Sequence, residues 1–320
     1  MKISLVTPAG KKSRTGNRTT AVRWARILRN LGHHVSIAEQ DDGAEADIMV
    51  AVHAWRSYHS IKSFSVSHPN RPLVVLLAGT DIYSFQHTHP NETLDSMNRA
   101  TALVCLHRLV EREIPQKYVK KLNVIYQSAK PLLSPSNPNK KTFDICVIGH
   151  LRDEKDPLRA AYASRLAPRD SKIRIIHLGK AHNQKWLNSM RAEEDANPRF
   201  ISLGDVPAWR VRRQFSTSRA MVISSIMEGG ANVVSEAVVA GLPIIASEID
   251  GNIGLLGPDY KGYYPAKDTK ALASLLNKLE EEPGFLKQLA RQIKKRQNLF
   301  RTSREHQAWD HLIKHLRPSL

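Results

Sequence analysis

Two cysteines, Cys105 and Cys146, are all that 320 residues contain, and each lies inside an apolar run. That excludes a disulfide scaffold and a thiolate metal centre, and leaves two buried thiols of the kind a reducing cytoplasm keeps. No apolar run is long enough to span a bilayer, and residues 1–10 open a strand, not a signal peptide, so a cytoplasmic protein without a membrane span is expected. No cluster of metal ligands is visible, and neither a metal nor a bound cofactor is expected. The glycine fingerprint of dinucleotide sites is missing too, since Gly10 and Gly16 lack the G-x-G-x-x-G spacing. Acidic residues are scarcest at the start: residues 1–30 hold eight Lys or Arg and no Asp or Glu, whereas residues 31–130 hold ten of each. A second basic run lies at 294–304, and the formal net charge is +18. Such an excess fits nucleic acid, an anionic membrane face or a small multiply charged substrate. Nucleic acid is not expected, because no groove-reading motif occurs and the charge sits in a loop and a tail.

What the chain does contain is alternation. With 41% hydrophobic residues it can bury ample core, and its length suits two domains. Strands are predicted at 3–6, 34–38, 47–52, 72–78, 102–106 and 123–126, separated by helical or turn-rich segments. A Pro-, Ser- and Asn-rich linker at 131–140 follows, and then strands at 143–148, 172–179, 200–203 and 221–223. Strands alternating with helices imply an α/β fold with parallel sheets covered on both faces, whose ligands gather beyond the carboxyl ends of the strands. That rule selects His53, the Gly79-Thr80-Asp81 turn, His107 and Gln127-Ser128. Asp81 either faces the crevice or caps the next helix. The first loop, 7–17, leads into a helix with Ala21, Val22, Ala25, Leu28 and Leu31 near one face. It offers Lys11, Lys12, Arg14 and Arg18 beside a helix start capped by Thr15 or Asn17. Trp209 reads as a core residue. A long helical stretch covers about 269–299, and 303–316 forms an amphipathic helix.

The stretch 224–247, SSIMEGGANVVSEAVVAGLPIIAS, reads as the end of a buried strand, a turn at Gly229 and Gly230, and a helix from Asn232 to Ala240 stopped by Gly241-Leu242-Pro243. Free amides and the positive end of the helix dipole over Gly230, Ala231 and Asn232 favour an anion there. Glu228 precedes the helix and Glu236 lies inside it, so that one carboxylate can hold sugar hydroxyls and the other ribose hydroxyls.

Glu228, seven residues, Glu236, then Ala-x-x-x-Gly-x-Pro resembles the donor-site signature of GT-B glycosyltransferases of the retaining, glycogen-synthase-like kind. Gly149-His150-Leu151-Arg152-Asp153-Glu154-Lys155 resembles their Gly-x-Leu-x-x-x-Lys turn, in which an Arg and a Lys clamp the donor diphosphate; Arg152 and Lys155 match those positions. The turn that starts at Gly204 corresponds to the one beside the uracil ring, and 248–264 is expected to close over the donor. The resemblance implies two Rossmann-like parallel-sheet domains facing a cleft. These are an acceptor domain at 1–130, the linker at 131–140, a nucleotide-sugar domain at 141–302 and a helix at 303–320 that crosses back to the first domain. It implies nucleotide-sugar contacts at Gly16, Gly149, Arg152, Lys155, Gly204, Glu228, Gly229, Gly230, Ala231, Asn232, Val233 and Glu236.

Five separated motifs narrow the resemblance. SRTGNR at 13–18, GTDIY at 79–83, YQSA at 126–129, GHLRDEKDPLRAA at 149–161 and EGGANVVSEA at 228–237 are together similar to the selenosugar synthases of selenoneine biosynthesis. That family implies transfer of N-acetylglucosamine or glucose from a UDP-sugar to selenophosphate, with pathway enzymes as further partners. In the roles it implies, Arg152 and Lys155 neutralise the leaving UDP, Glu228 positions the sugar, Glu236 holds the ribose, and Lys12, Arg14, Asn17, Arg18 and Asp81 receive selenophosphate. Selenium in that acceptor is already a soft anionic nucleophile, so no strong general base is required. Bringing it to a diphosphate costs several kcal/mol of repulsion, on the order expected at ~5 Å with an effective dielectric of ~20, which the basic loop would offset. Two departures from the wider family stand out: Gly229-Gly230 replaces the usual Pro-Phe, and an N-terminal His-Asp acceptor element is missing. The alternative is a GT-B enzyme that acts on a sugar or lipid acceptor.

Overall fold

The computed structural model describes residues 1–13 and 15–316. It contains two six-stranded sheets, parallel throughout. The first is built from β1 (Lys2–Val6), β2 (His34–Ala38), β3 (Ile48–Val52), β4 (Leu73–Leu76), β5 (Ala102–Cys105) and β6 (Leu122–Val124), in the order β2-β1-β3-β4-β5-β6. The second comprises β7 (Phe143–Ile148), β8 (Ile173–Leu178), β9 (Phe200–Ser202), β10 (Ala220–Ile223), β11 (Ile244–Ser247) and β12 (Tyr263–Tyr264), in the order β12-β11-β10-β7-β8-β9. β3, β4, β5 and β10 are buried along their whole length, which is why they read as unbroken apolar runs. In such sheets a crevice opens where the strand order reverses. That point falls between β1 and β3 in the first sheet and between β7 and β10 in the second.

Contacts divide the chain into two units. Unit 1 holds Met1–Ser128, Gly229–Ala231 and the chain from Arg301; unit 2 holds Ala129–Glu228 and Asn232–Phe300. The last helix, Thr302–His315, is thus part of unit 1. Its Trp309 packs edge-on against Trp24 with ring centroids 4.7 Å apart. Its buried Glu305 accepts hydrogen bonds from Trp24 Nε1 at 3.0 Å, Ser128 N at 2.8 Å and Ser128 Oγ at 2.5 Å. A buried carboxylate with three donors fixes this helix at the point where the chain leaves unit 1.

Two local expectations are corrected. The stretch about 269–299 is not one helix but two, Thr269–Glu281 and Pro283–Arg296, followed by a 3₁₀ turn at Gln297–Phe300. Proline lacks an N–H and disfavours helical geometry in the residue before it, so Pro283 starts a new helix. Trp209 is not in the core: it is 63% exposed, on the helix Ala208–Thr217. The segment 248–264 forms the helix Asp250–Leu256 and β12, and Asn252, Leu255, Leu256 and Tyr264 are buried in unit 2.

Cys105 and Cys146 are free and buried, and burial pushes both thiols up to about 12. Burial also pushes His107 and His177 down from 6.5 to about 4. Between those values the unfolded chain takes up two protons that the folded chain does not bind, so stability must fall as pH drops from 6.5 towards about 4. Each histidine contributes on the order of 3 kcal/mol to that loss. Urea titrations across the window check it: a midpoint that stays flat as the pH is lowered contradicts the prediction.

Candidate functional site

In unit 2 the carboxyl ends of β7, β8 and β9 converge on three glycines. Gly179 N donates to Gly204 O at 2.9 Å, and Gly149 N donates to Leu178 O at 2.9 Å. A Cβ on Gly179 would stand 1.8 Å from Gly149 O, so no side chain fits there. His177 Nε2 hydrogen-bonds the same carbonyl at 3.0 Å, which assigns the ring proton to Nε2. Gly179→Ala is therefore expected to cost ~2–3 kcal/mol by forcing the backbone apart. A drop in melting temperature checks this, and an unchanged one contradicts it.

From Gly149 the chain enters a tight turn, with 3₁₀ geometry over Asp153–Lys155 and Asp156 in the left-handed region at φ 43°. Arg159 secures that strained residue, its Nε and Nη2 donating to Asp156 Oδ2 and Oδ1 at 2.8 and 3.2 Å. The turn is stitched to the chain leaving β10: Ile226 N donates to Glu154 O at 2.9 Å, and Ser224 Oγ donates to Asp156 O at 2.8 Å. Because β7 and β10 flank the reversal point of the sheet, the stitching brings Lys155 and Glu228 together. Lys155 Nζ forms a hydrogen-bonded ion pair with Glu228 Oε1, which also accepts from Ser225 Oγ at 2.6 Å. Arg152 stands at the mouth of the turn, with Nη1 3.3 Å from Glu154 Oε1 and its buried Nε without a hydrogen-bond partner among the described residues. Beyond Glu228, the helix Asn232–Ala240 begins with Asn232, whose buried Oδ1 also lacks a partner among the described residues. Val233 and Glu236 are half-buried on that helix. Gly204 takes φ 65°, which its turn requires of a glycine.

Gly229, Gly230 and Ala231 belong to unit 1. A Cβ on Gly229 would lie 2.5 Å from the Ala78 carbonyl and the Gly79 nitrogen; one on Gly230, at φ 126°, would lie 2.5 Å from Leu106 Cβ. Close approach of backbone therefore explains the glycine pair that stands where a Pro-Phe pair was expected.

Elsewhere in unit 1, the helix Gly16–Asn30 opens the basic segment. Thr15 occupies its N-cap but makes no side-chain cap bond; instead Thr15 N donates to Ser13 Oγ at 3.2 Å. The expected cap by Thr15 or Asn17 is thus absent among the described residues, and the first turn carries no acid. Lys12 and Gly16 are exposed, and Asn17 and Arg18 are half-buried in that first turn. Arg14 lies outside the described residues. At the carboxyl end of β1, Thr7 is fully buried, and among the described residues its Oγ1 has no partner, a polar atom that the sequence did not single out.

Asp81 is corrected from an acceptor contact to a structural brace. It is 0% exposed, and its oxygens accept from Ala54 N and Ala78 N at 3.0 and 2.9 Å and from Gly79 N and Ile82 N at 2.8 and 3.2 Å. With four amides satisfied, no oxygen is left for a ligand. The carboxylate holds the turn after β4 to the turn after β3, where His53 sits at φ 82° with Nε2 2.9 Å from Thr80 Oγ1. Burial lowers the His53 pKa, against the pull of Asp81. Among the described residues no group of three or more His, Cys, Asp or Glu could hold a metal ion.

The model of the family described as glycosyl transferases group 1 matches residues 130–297. No curated protein matches the chain. Among solved structures, the chain is similar to HepE of Anabaena, crystallised with UDP and glucose, at 15% identity and a TM-score of 0.80 over 98% of this chain and 100% of that one. It is similar to sucrose-phosphate synthase from Thermosynechococcus elongatus at 15% identity and a TM-score of 0.78, covering 99% of each chain. A glycosyltransferase from Rickettsia africae is similar at 14% identity and a TM-score of 0.72, over 100% of this chain and 99% of that one. At this identity the likenesses carry the fold.

Proposed function

Since the chain belongs to the group 1 glycosyl transferases and has their GT-B fold, we propose that it moves a hexose, N-acetylglucosamine or glucose, from a UDP-sugar to selenophosphate. The selenium attacks the anomeric carbon, a selenium–carbon bond forms, and the C1–O bond breaks with its electron pair leaving on UDP. The observation that carries the donor half is the pairing of Lys155 with Glu228 at the reversal point of the second sheet. It sets a cation for the departing diphosphate beside a carboxylate for the sugar hydroxyls. HepE, with the same fold, was crystallised with UDP and glucose, which supports a uridine-linked sugar here.

In unit 2, Arg152 and Lys155 neutralise the diphosphate with help from the amides at Asn232 and Val233, Glu228 orients the sugar and Glu236 holds the ribose. Unit 1 supplies Lys12, Arg14, Asn17 and Arg18 for the anionic acceptor. The uncapped, acid-free start of Gly16–Asn30 supports this, because its first-turn amides and dipole both favour negative charge. The reaction asks for no metal, since guanidinium and ammonium groups carry the charge on the leaving group. The enzyme is proposed to work in the cytoplasm; no helix among the described residues is long and apolar enough to cross a membrane.

Mass spectrometry of products formed from UDP-N-acetylglucosamine or UDP-glucose and enzymatically generated selenophosphate tests the assignment. A selenium-bearing hexose is expected, and release of UDP without one overturns the acceptor. One observation favours a lipid acceptor instead: Trp209 is 63% exposed and Leu133 98% exposed, with Arg210 and Arg213 exposed on the same helix as Trp209. A parallel arm with anionic lipid vesicles and UDP-sugar decides between the two, lipid-linked sugar being the outcome that supports the second reading.

A further inference from the structure

Ser225 is 1% exposed, and its hydroxyl is committed in one direction, donating to Glu228 Oε1 at 2.6 Å. Lys155 takes the same oxygen. Among the described residues no hydrogen bond reaches Oε2, so the carboxylate turns one oxygen inward and leaves the other free. Behind Ser225 the polar chain continues. Ser247 Oγ donates to Ser225 O at 2.5 Å, and Asn252 Nδ2 donates to Ser247 O at 2.9 Å and Ser247 Oγ at 3.0 Å. All three residues are buried, and these bonds hold the backbone carbonyl of Ser225 in place. The backbone of Glu228 also packs close to Gly251, where a Cβ would lie 2.2 Å from Glu228 O, so no side chain fits at that position. The neighbouring Ser224 fixes the partner, its Oγ donating to Asp156 O at 2.8 Å and Lys155 O at 3.2 Å.

We propose that Ser225 is a positioning residue for the donor sugar: with its backbone held by Ser247 and Asn252, its hydroxyl fixes the rotamer of Glu228, so that Oε2 is presented to the hexose and not to the nucleotide. This rests on the donor reading above and deepens it, because it assigns discrimination between UDP-sugar and UDP to a serine that touches neither. With its hydroxyl gone, Oε1 keeps only Lys155, a cation that the diphosphate also attracts, and Glu228 is free to rotate when substrate arrives.

Calorimetry with UDP and with UDP-glucose, on the wild type and on Ser225→Ala, Ser225→Thr and Ser225→Val, tests the proposal, with melting temperatures recorded alongside. The alanine variant is expected to bind UDP within about twofold of wild type but to lose about tenfold in preference for UDP-glucose over UDP, the loss typical of one hydrogen bond to a charged group. Threonine keeps the hydroxyl and restores the preference; valine, of nearly equal size, does not. A merely structural serine would weaken both ligands together, or make Thr and Val indistinguishable, and either result overturns the proposal. If alanine does not fold, the Thr and Val pair carries the comparison. A wild type that binds UDP-glucose better than UDP, with an alanine variant that does the same, sinks the role of Ser225 alone. A wild type that binds neither ligand sinks the donor reading and this inference with it.

Discussion

Lys155→Ala lowers kcat/KM for the UDP-sugar about a thousandfold, with most of the loss in kcat, as expected when a charged donor is removed from the place where negative charge grows on a leaving group. Two effects act together. The diphosphate loses a cation, and Glu228 loses the partner that compensates its carboxylate in a mostly buried setting. The fold itself should survive, because Ser224 and Ile226 hold the turn through backbone oxygens that the substitution leaves in place. Steady-state kinetics and a thermal melt check both halves. Near-normal turnover would remove Lys155 from the chemistry, and a collapsed melt would mean that the ion pair serves folding first.

Glu228→Gln lowers kcat/KM about a hundredfold, chiefly through weaker use of the sugar, while UDP affinity changes little. The amide keeps an oxygen for Ser225 and Lys155 but puts N–H donors where Oε2 stood, so the sugar hydroxyls meet a donor in place of an acceptor. Because the two side chains share one hydrogen bond, the double variant should be scarcely worse than Lys155→Ala alone; losses that simply multiply would show that the pair does not act as a unit. A Glu228→Gln enzyme with wild-type kcat/KM contradicts the role given to this carboxylate.

The strands were legible because a parallel strand covered on both faces must be apolar throughout, as β3 and β10 are. The helix Asn232–Ala240 was legible to the residue, its start marked by glycines and its end by Gly241 and Pro243. Spacing along the chain also placed Lys155 and Glu228 at strand ends that the sheet order then made neighbours. What could not be read depends on partners far away in sequence. Asp81 looked like a site residue because it follows an apolar strand; that it is spent on the amides of Ala54 and Ala78 is a tertiary fact. Gly179 looked like an ordinary strand end, and only the carbonyl of Gly149 shows why nothing larger stands there. Trp209 was assigned to the core on its residue type alone, although Arg210, Arg212 and Arg213 crowd the same short helix. Ser224 and Ser225 did carry a signal, two hydroxyls at the carboxyl end of a buried strand, and the rule that ligands gather there was applied to the glutamate four and three residues on but not to them.

Calorimetric titration of the purified wild type with UDP, repeated on Lys155→Ala, is the most direct measurement. One UDP bound per chain is expected, with an affinity at least about tenfold weaker in the variant, the least that one charge-assisted contact contributes. No heat of binding in the wild type, or equal affinity in the two proteins, would contradict it.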